Sequence, residues 1–74
     1  MHRFPIGTQY QEPGKYSRLC TVVDQLTTTN SKGEVVARRY TAAHSFLGQT
    51  VTTHDVVDTH IARNLLPAFK HLLK

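Results

Sequence analysis

Seventy-four residues make room for one small domain, which buries only about 60% of the surface its unfolded chain exposes, so its core is small and its stability marginal. The single cysteine, Cys20, excludes an intrachain disulfide and a Cys-rich zinc site, and no apolar run approaches the roughly 20 residues that a membrane-spanning helix needs. Nine Lys and Arg against five Asp and Glu leave a net charge of +4, which favours acidic partners, either nucleic acid or an acidic protein face.

The basic residues are scattered, however, and Arg38-Arg39 is their only adjacent pair, so a plain solvated surface explains the charge at least as well. With no N-terminal apolar stretch of the signal-peptide kind and no disulfide, the chain is expected in a reducing cytoplasm. Nothing in the composition calls for a cofactor.

In chain order, residues 1–11 place Phe4, Ile6, Thr8 and Tyr10 at period two, and Pro5 cannot donate to a ladder, so this segment predicts a short edge strand. Glu12-Pro13-Gly14-Lys15 is a turn signal, which leaves residues 12–18 as an exposed loop carrying Lys15, Tyr16 and Arg18.

Residues 19–29 and 34–46, both rich in β-branched and aromatic side chains, flank Asn30-Ser31-Lys32-Gly33 and predict one β-hairpin. Asn30 can bond back to the backbone and Gly33 can take φ > 0, giving a three-residue loop at 31–33. Opposed residues then sum to 64: Val22 faces Ala42, Asp24 faces Tyr40, Leu26 faces Arg38 and Cys20 faces His44. The even-numbered face, with Cys20, Val22, Leu26, Val36, Tyr40, Ala42 and Phe46, is the expected core side. Asp24 and Arg38 break that pattern but are close enough to pair, while a slip of one residue would invert the faces.

Leu47-Gly48-Gln49 predicts the next corner. Eight of the twelve residues from 50 to 61 are β-branched, favouring strands over 49–52 and 57–63 joined by a 3₁₀ turn at 53–56. The runner-up for that region is a helix with Thr52 as N-cap and Asp55 at N3. Asn64 is a good N-cap for an amphipathic helix over 64–74 with Pro67 in its first turn, and Leu65, Leu66, Phe69, Leu72 and Leu73 make its apolar stripe. Five short strands, a long bent hairpin and an end-capping helix match a mainly β, SH3-like barrel over 1–63 with the helix over 64–74.

Four groups of residues could carry chemistry. His54, Asp58 and His60 have metal-ligand character, but an extended strand would spread them over about 20 Å, so three solvated residues around a turn are expected instead. Cys20 opposite His44 could pair thiolate and base, yet no oxyanion loop or third orienting group accompanies them, and a buried core cysteine is the plainer reading. The threonines at 27–29, 50, 52 and 53 could meet phosphate but equally form a solvent face. The best candidate surface joins Lys15, Tyr16, Arg18, Arg38, Arg39 and Tyr40, because cations interleaved with aromatics suit phosphate contact and base stacking. The terminal helix either packs on the barrel or presents Phe69, Leu72 and Leu73 to a partner or to its own copy as a homodimer.

The string Phe46-Leu47-Gly48-Gln49-Thr50-Val51-Thr52, followed by Asp55-Val56 and Ile61-Ala62-Arg63, resembles short accessory proteins carried by bacteriophages and plasmids of bacteria. The resemblance covers residues 4–66 and implies a mobile-element accessory protein without implying an activity. The sequence therefore predicts a cytoplasmic, non-enzymatic binding module that contacts nucleic acid or a nucleoprotein complex through its basic hairpin wall. The alternative of a different class is a phage-type protein that binds and inhibits a host protein complex.

Overall fold

The computed structural model describes residues 4–73; Arg3 and Lys74, the start of the expected first strand and the end of the expected terminal helix lie outside the described residues. Strands β1 (Gln9–Gln11), β2 (Leu19–Thr29), β3 (Val35–Phe46) and β4 (Gln49–Val57) form one antiparallel sheet in the order β1-β2-β3-β4, followed by helix α1 (Asp58–Asn64) and a 3₁₀ helix (Pro67–Leu73). The chain is mainly β and its sheet is open, β1 and β4 not pairing with each other, where the sequence predicted a closed five-stranded barrel. No helix among the described residues is long and apolar enough to cross a membrane.

The central hairpin forms for the local reasons read from its loop. Asn30 N–H donates to the Glu34 carbonyl at 2.9 Å, Gly33 N–H donates to the Asn30 carbonyl at 3.0 Å, and Gly33 takes φ 81°. Asn30 Oδ1 accepts from the amides of Lys32 at 2.9 Å and Glu34 at 3.0 Å, which holds the loop to three residues.

Register departs from a uniform ladder at two bulges. Thr29 pairs with Val35 and Val22 with Ala42, as expected, but between them Asp24 pairs with Thr41, Gln25 with Tyr40, Leu26 with Arg39 and Thr27 with Arg38. The bulge between Val22 and Asp24 shifts the outer half of β2 by one residue and turns its side chains over. Asp24 thereby leaves the covered face and does not meet Arg38, while Leu26, expected in the core, is 66% exposed. Val36 and Phe46, also assigned to the core side, are exposed as well.

In β4, a bulge between the pairs Tyr40–Val56 and Ala42–Thr53 absorbs one extra residue where the sequence predicted a 3₁₀ turn. Asp55 takes φ 60° there, a conformation Asp tolerates better than most residues, and the bulge delivers Val56 to the core. The expected fifth strand at 57–63 is α1 instead. Its β-branched residues yield to burial, since a helix here seats Ile61 and then Leu65 against the sheet. Asp58 in its first turn and Arg63 in its last complement the helix dipole, whereas the runner-up start at Thr52 lies inside β4. Asn64 is the last residue of α1, its side chain donating to the His60 carbonyl at 2.9 Å, and does not open the next helix; Pro67 does.

The core joins Phe4, Tyr10, Cys20, Val22, Tyr40, Ala42, Val56, Ile61 and Leu65 on one face of the sheet, with Phe69, Leu72 and Leu73 half-buried against it. Among the described residues, none on the opposite face is buried. That face carries Thr21, Leu26, Arg39, Thr41, Ala43 and Val57.

Candidate nucleic-acid interface

The loop between β1 and β2 is held at its neck, where Glu12 N–H donates to the Arg18 carbonyl at 2.8 Å. Inside it, Gly14 takes φ 110°, Ser17 Oγ donates to the Gly14 carbonyl at 3.2 Å, and Gln11 Nε2 donates to the Ser17 carbonyl at 3.0 Å. These bonds fold the loop into a shape that projects three side chains together.

Arg18 is the hub of that shape. Its guanidinium carbon lies 5.5 Å from the ring centre of Tyr16 and 5.8 Å from that of Phe46, while Lys15 Nζ lies 5.9 Å from the Tyr16 ring. Tyr16 is 68% exposed. Glu12, Pro13, Lys15, Tyr16 and Arg18 line an open depression of about 150 Å³. The one carboxylate in it, that of Glu12, is taken up by His60 Nε2 at 2.9 Å. An anion arriving here meets two cations and an engaged carboxylate.

Lys15, Tyr16 and Arg18 thus lie together, and Arg38, Arg39 and Tyr40 do not join them. Arg38 and Tyr40 are buried on the covered face, where Tyr40 Oη accepts from Phe4 N–H at 3.2 Å and the two rings meet edge to face at 5.9 Å. Arg39 projects from the opposite face with Nη1 donating to the Arg38 carbonyl at 3.2 Å. It stands seven residues from Phe46 along β3, roughly 23 Å at strand rise.

Phe46, assigned to the core by strand alternation, and Glu12 were not among the residues picked from the sequence. The signal that could have found Phe46 is its place at the last rung before the Leu47-Gly48 corner, where β3 runs past its helix cover.

The other candidates separate. His54 Nδ1 is 3.2 Å from Thr41 Oγ1 on the uncovered face, and His60 is engaged with Glu12 on α1; no three of His, Cys, Asp and Glu converge among the described residues. Cys20 is buried, its thiol donating weakly to the Arg18 carbonyl at 3.8 Å, and burial pushes its pKa up, opposite to what a nucleophile needs. Thr27, Thr28 and Thr29 line the exposed hairpin arm, and Thr50, Thr52 and Thr53 the exposed start of β4.

A scan against family models, a search of curated proteins and a search of solved structures each return no match to this chain.

Proposed function

We propose that the protein is a non-enzymatic binding module that contacts single-stranded nucleic acid through Lys15, Tyr16, Arg18 and Phe46. The observation that supports this reading is the exposed Arg18 guanidinium near both the Tyr16 and Phe46 rings, with a second cation, Lys15, near the Tyr16 ring. An arginine so placed offers its N–H fork to a phosphate, while Tyr16 and Phe46 offer ring faces to unstacked bases. The loop's internal hydrogen bonds hold these groups in place before binding, which lowers the ordering cost.

Fluorescence anisotropy with a random single strand, repeated across salt, tests it. The logarithm of affinity should fall linearly with the logarithm of salt, and Arg18→Ala should reduce that slope by about 1, because one phosphate contact is lost. Tyr16→Ala should weaken binding at every salt by about 1–3 kcal/mol, the loss of one stacked base. An isotherm unchanged between low and physiological salt overturns the reading, as does an Arg18→Ala variant that binds like the wild type.

The second reading, an accessory protein of a phage or plasmid that occupies a host protein, draws support from Leu26, Val35 and Val36, exposed on the hairpin arm. Capture from a nuclease-treated host lysate separates the two, since a protein partner survives the treatment and a nucleic-acid bridge does not.

A further inference from the structure

We propose that β4 pairs edge to edge with β4 of a second copy of this chain, joining two four-stranded sheets into one antiparallel sheet across a two-fold axis. The two edges of the sheet are built differently. β1 is three residues long, and its outer side is occupied: Tyr10 bridges to Leu65, and Leu66 N–H donates to the Gln9 carbonyl at 3.4 Å. β4 is nine residues long, its residues are exposed from Gln49 to Asp55, and among the described residues it has a strand neighbour on one side alone.

A free edge of that length offers a row of unpaired backbone donors and acceptors. Proteins ordinarily blunt such an edge with a lysine, a proline or a bulge. Residues 49–53, Gln-Thr-Val-Thr-Thr, contain neither lysine nor proline, and the bulge at His54 and Asp55 comes only after them. This stretch is left competent to pair.

Charge points to a second copy as the occupant. Two molecules of net charge +4 repel wherever basic surfaces meet, and residues 49–53 carry no Lys, Arg, Asp or Glu. A basic or acidic peptide would find no complementary charge on this edge, whereas the strand is complementary to itself. Antiparallel pairing about an axis normal to the sheet sets each residue opposite one of the same face, so paired numbers sum to an even value. Centred on Val51, that register sets Val51 opposite Val51 of the partner subunit, Thr50 opposite Thr52 of the partner subunit and Gln49 opposite Thr53 of the partner subunit. Facing β-branched pairs of this kind stabilise sheets, and Val51, 39% exposed in the single chain, becomes covered. No residue of this edge belongs to the Lys15, Tyr16, Arg18 and Phe46 cluster, so the two readings stand or fall separately.

Sedimentation equilibrium from micromolar to millimolar protein tests it. The mass should rise from 8.4 kDa to twice that value. Val51→Lys, which sets two ammonium groups face to face at the axis, should raise the dissociation constant about tenfold or more. Thr50→Glu combined with Thr52→Lys should tighten the dimer relative to either change alone, because each new charge then faces its opposite across the axis. A wild type that stays at the single-chain mass overturns the proposal, as does a folded Val51→Lys variant with the wild-type constant. Should Val51→Lys unfold, the double variant decides: a constant no tighter than those of its single variants overturns the proposal.

Discussion

The guanidinium of Arg38 lies on the covered face of β3 in a residue 8% exposed, with its Nε buried and without a hydrogen-bond partner. No carboxylate among the described residues lies within ion-pair distance of it, since the single pair found there joins His60 to Glu12. The Nε donor has given up its water and gained no partner among the described residues in return. Arg38→Met keeps the aliphatic stem and removes the charge. It should stabilise the fold by about 1–3 kcal/mol in urea denaturation. Arg39→Met, on the exposed face, should stay within about 0.5 kcal/mol of the wild type. Loss of stability in Arg38→Met would show that the charge itself is used.

A second residue-scale effect appears at alkaline pH. Burial, and after it the neighbouring Cys20, pushes the Tyr10 hydroxyl well above its ordinary 10.0, and burial pushes the Cys20 thiol above its ordinary 9.0 against a smaller opposing effect of Tyr10. The hydroxyl adjoins the thiol without meeting hydrogen-bond geometry, so burial governs both groups. The unfolded chain therefore releases these protons at lower pH than the folded one. Their contribution is intact below about pH 9 and is lost as pH rises from there through the raised folded values. Thermal melts should show Tm falling above that point. Tyr10→Phe should remove the tyrosine share of the fall while changing neutral-pH stability little, because the deleted hydroxyl has no hydrogen-bond partner among the described residues.

At the scale of elements, the β3–β4 corner is a two-residue turn with both residues at positive φ, Leu47 at 50° and Gly48 at 78°. That mirror-image geometry matches the twist of the flanking strands, but a leucine there costs about 1–2 kcal/mol where glycine or asparagine costs little. Leu47 is 87% exposed, so no packing offsets the cost. Leu47→Asn should raise stability by about 1 kcal/mol, a Tm gain of roughly 4–8 °C in a domain this small. An unchanged melt would mean that the turn is relaxed by some contact of Leu47. The same contrast explains what the sequence made legible. Asn30 and Gly33 act within their own loop, so the hairpin and its length could be read directly, and Pro13-Gly14 likewise announced the loop that carries Lys15, Tyr16 and Arg18. The bulges at Val22/Asp24 and Tyr40/Ala42 answer to sheet twist and core fit, which no local pattern records, and each moved side chains to the other face. Residues 57–63 carry strand propensity that burial of Ile61 overrode. Phe46 could not be placed beside Arg18 because that contact joins a strand end to a loop 28 positions earlier.

Across the whole molecule, cover is uneven. The radius of gyration is 13.0 Å, against about 11 Å for a compact chain of this length, and the long dimension of 44 Å exceeds the others of 26 and 19 Å. The excess follows the hairpin: residues 26–36 are exposed throughout, whereas Cys20, Val22, Tyr40 and Ala42 lie under α1 and the 3₁₀ helix. Both halves belong to the same β2–β3 ladder, so their hydrogen bonds are alike and what differs is the apolar area packed above them. An isolated two-stranded ribbon is at best marginally stable in water. The outer half should therefore open without unfolding the inner half, and native-state hydrogen exchange should resolve two tiers. Amides near Cys20, Val22, Tyr40 and Ala42 should exchange only through global unfolding and share its denaturant dependence, while those of residues 26–36 should exchange at free energies several kcal/mol lower with almost no denaturant dependence. Ile61→Ala, which removes a fully buried anchor of the helix layer, should lower the inner tier by about 2–5 kcal/mol and leave the outer tier nearly unchanged until the two converge. A single tier of uniform protection along β2 and β3 would show that the hairpin is stabilised along its whole length, and that helix cover does not set where this sheet is firm.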